Sequence, residues 1–401
     1  MKGRNARAWL PLVLLALPLL FVGLNGGCST TKDHSATATL SATQFYSPTP
    51  SVTVASSGKV LVANYSSGSI SVIDVATRQV VGTIIVGGNP FGVAIAPGGS
   101  FAFVSDTLNN KIAVVNIPSL IAPPGGPIPT AIPTGAFTVS PTFTNTASAT
   151  LTATCPGCPT LTPTPWVFQY GTGLMPMGVA MSPNGTFAYT CNYGSNSVTV
   201  ASVILSNCFV APVATVVVGT NPIGLSVGPG GSFVYVSNHG TANLSVIRTS
   251  SNSVVATISL APGACPHDCH DVTRFSGNYL FVTDDCSTLV PVVDTSTNVV
   301  VATITVGSGP HCFAVAPNGS RIYVANTNAG TVSVVDAVTN ANLATVSVGP
   351  SPFGAHVTSD SAYVFVTNGT SGNVSVISSG SNTVVATIPV GGGPTGISIY
   401  P

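Results

Sequence analysis

A phrase that recurs along this chain constrains its fold more than any other feature. The phrase reads Pro-x-Gly, an apolar strand, a turn of the Pro-Asn-Gly or Pro-Gly-Gly type, and a second strand that ends in Asn or Asp. The copies run from Pro222 to Asn238, Pro90 to Asp106, Pro176 to Asn192, Pro310 to Asn326 and Pro352 to Asn368, with a divergent copy from Pro266 to Asp284. A fixed period between 20 and 50 residues is typical of solenoids and propellers.

Two further short strands follow each copy, for example Asn243 to Ile247 and Ser253 to Ile258. Each unit therefore contains four short strands with alternating apolar and polar residues, separated by Gly, Asn and Ser. This is the pattern of one propeller blade. The Asn or Asp that closes each second strand is expected to bond the backbone of the turn that follows.

The two ends of the chain complete each other. Lys59 to Asn64, Ser69 to Asp74 and Val80 to Val86 supply the last three strands of a blade, whereas Pro394 to Ile399 is an isolated first strand. Pairing them would close the ring and remove open sheet edges. With six whole units, this shared blade predicts an all-β, seven-bladed β-propeller of four-stranded antiparallel blades over residues 46–401.

The second strands resemble a known family of repeats. Tyr235-Val-Ser-Asn238, Tyr323-Val-Ala-Asn326 and Phe365-Val-Thr-Asn368 are each followed by a Val-Ser-Val type strand, and these phrases are similar to the YVTN β-propeller repeats. Such repeats also occur in surface-layer proteins and resemble the propeller domain of nitrous-oxide reductase. The resemblance covers about residues 46–401 and implies a propeller, but it does not imply a particular activity, because a fold hosts many functions.

The N-terminus is typical of an export signal. Lys2, Arg4 and Arg7 precede an apolar run from Trp9 to Leu24 and then Cys28. Small residues before Cys28 resemble the bacterial lipobox, although Asn25 stands where that pattern has Leu. We expect residues 1–28 to be a lipoprotein-type signal that ends at a lipidated Cys28, with ordinary cleavage and secretion as the alternative. Residues 29–45 lack the apolar content to fold and are predicted to be a flexible tether.

These features predict a protein anchored to a membrane by lipid and facing the periplasm or the cell surface, or else secreted.

One stretch interrupts the repeat, at about residues 118–165, and it is dense in Pro and Thr. This composition suits extended, solvated chain, and we expect a surface insertion: a spacer, a glycan-bearing loop or an arm that binds a partner.

Charge excludes several classes of function. Charged residues make up 5% of the chain, the net charge is zero, and no residue is Glu. A glutamate base or ligand is therefore excluded, and the scattered Lys and Arg residues do not favour nucleic-acid binding, which needs a basic patch.

Histidines concentrate in the entering loops of two neighbouring blades. The fifth blade enters with Ala264-Cys-Pro-His-Asp-Cys-His-Asp271 and the sixth with Gly309-Pro-His-Cys312. His267, His270, Asp271 and His311 are expected to converge at the channel mouth, with His239, Cys286 and His356 within reach. Imidazole, carboxylate and thiolate are ligands for a divalent transition metal.

Two alternatives compete with a metal. The fifth loop can be a disulfide site whose histidines are only polar surface residues. Haem attachment needs Cys-x-x-Cys-His, and the spacing from Cys265 to Cys269 is one residue longer. An even number of cysteines follows Cys28, and in an oxidising compartment we expect them to pair, with connectivity left open. They are Cys155, Cys158, Cys191, Cys208, Cys265, Cys269, Cys286 and Cys312.

No nucleophile elbow, phosphate loop or zinc-protease helix motif occurs in the sequence. We therefore expect a binding or scaffolding module of the cell envelope rather than an enzyme, with no catalytic residues, no required cofactor, a protein or glycan partner, and a monomeric propeller. The alternative is a metal- or cofactor-dependent enzyme, or an electron-transfer protein, that uses the His/Cys/Asp cluster.

Overall fold

The strands form seven antiparallel sheets arranged as blades. The structure is a computed structural model and describes residues 58–117, 167–204, 209–267 and 279–400. The first blade contains β1 (Lys59–Asn64), β2 (Ser69–Asp74) and β3 (Gln79–Ile85). The second contains β4 (Pro90–Ile95), β5 (Phe101–Asp106), β6 (Lys111–Asn116) and β7 (Val167–Gly171). The third contains β8 (Pro176–Met181), β9 (Phe187–Asn192), β10 (Ser197–Ile204) and β11 (Phe209–Val217).

The later blades repeat this order. The fourth contains β12 (Pro222–Val227), β13 (Phe233–Asn238), β14 (Asn243–Arg248) and β15 (Ser253–Ser259). The fifth contains β16 (Tyr279–Phe281), β17 (Leu289–Asp294) and β18 (Val299–Thr305). The sixth contains β19 (Pro310–Val315), β20 (Arg321–Asn326), β21 (Thr331–Asp336) and β22 (Asn342–Ser347). The seventh contains β23 (Pro352–Val357), β24 (Tyr363–Asn368), β25 (Asn373–Ser378) and β26 (Thr383–Pro389).

The last strand, β27 (Pro394–Tyr400), belongs to the first blade. It pairs antiparallel with β1, from Lys59 opposite Tyr400 to Asn64 opposite Pro394. The prediction of a seven-bladed propeller closed by its own C-terminal strand is confirmed. The second blade also has a fourth strand, which follows the Pro/Thr-rich stretch in the chain, because β7 pairs with β6.

The apolar core lies in layers between neighbouring blades. One cluster joins Tyr323 and Val334 of the sixth blade to Val357 and Val366 of the seventh. The outermost strands bury alternate residues only, as in β26. No blade therefore buries its apolar faces alone, and this explains why the ring must close.

The Pro-x-Gly phrase marks where the inner strands of neighbouring blades approach closely. A Cβ at Gly178 would lie 2.6 Å from the carbonyl oxygen of Ile223 in the next blade, so only glycine fits there. Hydroxyl groups near the end of the second strands then hold the x residue of the next blade. For example, Thr367 of the seventh blade donates to the carbonyl oxygen of Thr395, the residue between Pro394 and Gly396 in the first blade, at 2.7 Å. Such bonds fix the backbone of the residue that follows the Pro of the phrase.

The Asn that closes a second strand has different partners from those expected. Asn238 donates to the side chains of Asn243 at 2.9 Å and Ser245 at 2.9 Å, both on the third strand, rather than to the backbone of the turn. Antiparallel pairing brings these side chains opposite Asn238, and Asn238 and Ser245 are both buried. Asp106 does bond turn backbone, accepting from the Asn109 amide at 3.1 Å.

Several predictions concern residues outside the described part of the chain: the signal over 1–28, the lipidated Cys28, the tether over 29–45 and the insertion at about 118–165. All described residues lie within one compact unit, Thr53–Pro401. Within the described residues, no helix is long and apolar enough to cross a membrane.

Candidate functional site

A cavity of about 650 Å³ runs along the axis of the ring. Its lining comes mainly from the first strand of each blade, from Phe91 and Phe353 at one end to Pro97 and Pro183 at the other. The end that holds Phe91 is where the chain enters each blade, and it is the channel mouth that the repeat predicted.

The x residue of each Pro-x-Gly phrase occupies the same place at this mouth. These seven residues, which we call the inner ring, are Phe91, Met177, Ile223, His267, His311, Phe353 and Thr395. Five of the seven are neither charged nor ionisable, and the two histidines lie in adjacent blades. Because equivalent positions of adjacent repeats lie side by side, the two histidines form one polar sector of the inner ring.

A second set of residues follows the closing Asn or Asp of each second strand. This outer ring consists of Tyr65, Thr107, Tyr193, His239, Asp285, Thr327 and Gly369. Its only acidic and imidazole side chains, Asp285 and His239, belong to the fifth and fourth blades. They lie beside the two histidines of the inner ring, and this alignment builds the site.

The four side chains form a chain of close contacts. The His267 and His311 ring centroids are 3.4 Å apart with the planes inclined at 42°. Asp285 Oδ2 lies 4.0 Å from His267 Nε2, and Asp285 Oδ1 lies 3.6 Å from His239 Nε2. One ligand atom from each of His267, Asp285 and His311 falls within 4.8 Å of the others, which is close enough for one ion to bind all three.

The backbone of this sector is held by cross-links between blades. Ser237 of the fourth blade donates to the His267 carbonyl oxygen at 3.1 Å, and Thr283 of the fifth donates to that of His311 at 2.7 Å. Both hydroxyl-bearing residues are fully buried. Each histidine is therefore positioned by the blade that precedes it.

A disulfide fixes the entering loop of the fifth blade. Cys265 and Cys286 are bonded, and Asp285 is adjacent to this bridge in sequence. The His267 amide donates to the Thr283 carbonyl oxygen at 3.0 Å, and the Cys265 amide donates to Asp284 Oδ1 at 2.8 Å. The loop that carries His267 and the turn that carries Asp285 are thus one cross-linked unit.

Burial sets the electrostatics of the cluster. Withdrawal from water raises the pKa of the Asp285 carboxyl above its ordinary value, the nearby His239 acts in the opposite direction, and Asp284 adds to the rise. His267 and His311 are only 9% and 7% exposed. Two buried imidazoles beside a partly buried carboxylate suit a divalent transition metal in ligand type and number.

The structure brings together part of the predicted set. His267 and His311 meet as expected, whereas His270 and Asp271 lie outside the described residues. His356 lines the cavity and its Nδ1 lies 3.1 Å from the Val357 carbonyl oxygen. Asp285 was not predicted as a site residue. Its position could have indicated it, because Asp285 directly follows the closing Asp284, just as His239 directly follows the closing Asn238 one blade earlier.

The predicted cysteines divide in the same way. Cys265 and Cys286 form the disulfide, and Cys191 and Cys312 are buried. Cys155, Cys158, Cys208 and Cys269 lie outside the described residues. A second group of metal-ligating types, Cys265, Asp284, Asp285 and Cys286, has its two sulfur atoms engaged in the disulfide.

Aromatic rings continue the inner ring beyond the histidines. The Phe353 ring centroid lies 3.7 Å from that of His311, and Phe91 meets Phe353 edge-on at 5.3 Å. Tyr65 of the outer ring meets Phe91 edge-on at 6.5 Å. The mouth of the channel therefore has a His/Asp sector and an adjoining aromatic sector.

Residues 165–260, about a quarter of the chain, match the family model described as "Lactonase, 7-bladed beta-propeller". The periplasmic gluconolactonase of Pseudomonas aeruginosa is similar in structure, with 16% identity and a TM-score of 0.66 over 86% of this chain and 99% of that one. A putative 6-phosphogluconolactonase of Bacteroides fragilis gives 13% and 0.65 over 87% and 99%. Hydrazine synthase of Kuenenia stuttgartiensis gives 17% and 0.62 over 84% and 99%. At these identities the structures show the fold alone, and no curated protein sequence matches the chain.

These findings correct one expectation and leave another open. The expectation that the protein is not an enzyme is wrong, because the matched family model is that of a lactonase. Contiguous catalytic motifs are not a test for enzymes of this fold, because a propeller can assemble a site from single residues on separate blades. The resemblance to YVTN repeats is supported for the propeller fold only. The family model that matches residues 165–260 is the lactonase model.

Proposed function

We propose that this protein is a hydrolase of cyclic esters whose active site is the His/Asp sector of the channel mouth. The observation that carries the proposal is the convergence of His267, His311 and Asp285 within 4.8 Å at the end of an axial cavity. The match to the lactonase family model supports the choice of ester class.

His267, His311 and Asp285 would hold a divalent transition metal. Such an ion supplies a water of lowered pKa and polarises an ester carbonyl. With three protein ligands, the ion would keep a position for water or substrate, as catalytic zinc ions do. His239 is near enough to Asp285 to orient the carboxylate and to exchange a proton with it.

The chemistry balances without a further reactant. Hydrolysis forms a bond between a water oxygen and the ester carbonyl carbon, breaks the ring C–O bond, and yields a hydroxy acid. One water proton must pass to the departing alkoxide. The His239–Asp285 pair, with 3.6 Å between Nε2 and Oδ1, is the described group suited to carry it.

The test is metal content and lactone hydrolysis of the same purified protein. We expect stoichiometric zinc, or a related ion, by mass spectrometry and acid release from lactones in a pH-stat. His267→Ala and His311→Ala should each lose the metal and at least 100-fold in kcat/KM. His356→Ala, a histidine elsewhere in the cavity lining, should keep the metal. A protein that binds no metal and opens no lactone would overturn the proposal.

We also propose that the protein works outside the cytoplasm, held by a lipid on Cys28 and facing the periplasm or the cell surface. The N-terminal signal supports this, and a periplasmic relative in structure is consistent with it. A monomeric propeller with a protein or glycan partner of the envelope remains a prediction. Labelling with a fatty-acid analogue, lost in Cys28→Ser, would test the anchor.

A further inference from the structure

We infer that the cyclic ester accepted by this site carries an apolar chain or ring, bound by the aromatic sector beside the His/Asp cluster, and is not a sugar lactone. This inference rests on the proposed function and names the substrate class of the same site. Its strongest support is the contact between the two sectors, because the Phe353 ring lies directly beside the His311 ring, with 3.7 Å between the ring centroids.

The aromatic sector offers a continuous apolar surface. Phe353 lies 3.7 Å from His311 between ring centroids, and Phe91 and Tyr65 extend the surface away from the cluster. These three rings are only half-buried, so part of each is open to a ligand. On the opposite flank of the histidines, the inner ring continues with Ile223, which is also apolar.

Room for a chain exists below the ring. The cavity volume of about 650 Å³ is within the range of small-molecule sites. Three residues further along the first strands, the lining holds the small apolar Ala94, Ala180 and Ala314 and the polar Ser226, His356 and Ser398. An alkyl chain can extend along the axis against the three alanines while the ester stays at the His/Asp sector.

A sugar lactone would find few partners for its hydroxyl groups within the inner ring. Outside the histidines, the polar member of this ring is Thr395, and its single hydroxyl hydrogen is already engaged by the backbone oxygens of Ala63, Pro90 and Phe91, which lie at 3.1 to 3.3 Å. Burying a sugar hydroxyl without a hydrogen bond is costly, whereas burying methylene groups against Phe91 is favourable.

A phosphorylated lactone fits less well still. None of the described residues that line the cavity is Lys or Arg. Most cations elsewhere in the described chain are engaged: Lys59 with Asp74, Arg78 over Tyr363, Arg248 over Phe233, and Arg321 with Ser379 and Asn382. Lys111 is exposed at the start of β6 and does not line the cavity.

The experiment compares lactones on the full chain loaded with zinc. Initial rates are measured in a pH-stat for δ-valerolactone, δ-octalactone, δ-decalactone, D-glucono-δ-lactone and its 6-phosphate. We expect kcat/KM to rise about threefold to fourfold for each methylene added. The sugar lactones should fall below δ-decalactone by at least 100-fold.

Two variants test the named surface. Phe91→Ala should lower the ratio of kcat/KM for δ-decalactone over δ-valerolactone at least tenfold. Phe233→Ala, a half-buried phenylalanine on a second strand that does not line the cavity, should keep the wild-type ratio. Because the substrate series is run on the wild-type protein, the inference is decided even if a variant does not fold.

The outcomes separate this inference from the function on which it rests. A preference for either sugar lactone would overturn the apolar substrate and leave the hydrolase intact. Equal rates along the alkyl series would also overturn it. Failure to open any lactone with metal bound would overturn both.

Discussion

His239 lies outside the inner ring, yet it contacts the cluster from a different blade. Its Nε2 is 3.6 Å from Asp285 Oδ1, while the other oxygen of that carboxylate faces His267. The turn that carries His239 is fixed by its amide, which donates to the Asn221 carbonyl oxygen at 3.1 Å. In the proposed hydrolysis, His239 therefore orients Asp285 in addition to its part in proton transfer.

Replacing His239 with Phe should weaken metal binding by about tenfold to 100-fold, because the carboxylate loses the partner that orients it. A competitive chelator titration measures the Kd directly. Tyr193→Phe alters the same outer-ring position one blade earlier and should bind metal as the wild type does. An unchanged Kd in His239→Phe would show that Asp285 needs no orienting partner.

In the first blade, Lys59 at the start of β1 donates a hydrogen bond to the carboxylate of Asp74 at the end of β2, at 2.7 Å. Partial burial acts to raise the pKa of Asp74, but the bonds from Lys59 and Thr77 outweigh it and hold this pKa below the ordinary 3.8. A carboxyl whose pKa is lowered by folding stabilises the protein above its unfolded pKa, and that stabilisation is lost as the pH falls through the folded value.

Asp74→Asn should therefore lower the free energy of unfolding at pH 7 by about 1 kcal/mol, and the difference should vanish in strong acid. Urea denaturation at pH 7 and at several values below 3.8 measures it. Asp360→Asn, a turn carboxylate without a basic partner among the described ion pairs, is the control. A deficit that persists unchanged in acid would show that packing, not charge, is lost.

At the scale of elements, the fifth blade differs most from its neighbours. Its entering loop carries His267, and the turn after its second strand carries Asp285; the Cys265–Cys286 bridge joins them. The bridge lies within the blade that supplies two of the three proposed ligands. Its removal should affect both stability and the site.

The double variant Cys265→Ser, Cys286→Ser should lose about 3 kcal/mol of unfolding free energy, as expected for a loop closed by 21 residues. Its metal affinity should fall as well, because the loop and the turn are no longer cross-linked. Denaturant unfolding and chelator titration measure the two effects, and the chemically reduced wild type should match the variant. Full affinity in both would show that backbone hydrogen bonds alone hold the loop.

At the scale of the molecule, the ring depends on one strand from the far end of the chain. β27 pairs with β1, and Ile397 packs in the cluster that joins the first and seventh blades. Thr395 also bonds the backbone of the second blade. Strand β27 thus connects three blades.

Deleting residues 394–401 should abolish the folded monomer, since it exposes the edge of β1 and opens the apolar layers on both sides. Size-exclusion chromatography and thermal unfolding would show aggregation or a non-cooperative transition. Removing residues 1–45 instead should leave Tm unchanged. A deletion of 394–401 that melts like the wild type would refute closure by this strand.

The sequence by itself determined the propeller, because strand periodicity, the Pro-x-Gly phrase and the complementary ends are local signals that repeat. It also placed His267 and His311 at one mouth, since both occupy the same position in adjacent repeats. The tertiary structure decided the rest. Asp285 and His239 join the site only through the contact of separate blades, and Phe91 of the second blade meets Phe353 of the seventh only because the ring closes. No linear motif encodes contacts made between blades, and this is why Asp285 was not predicted as part of the site.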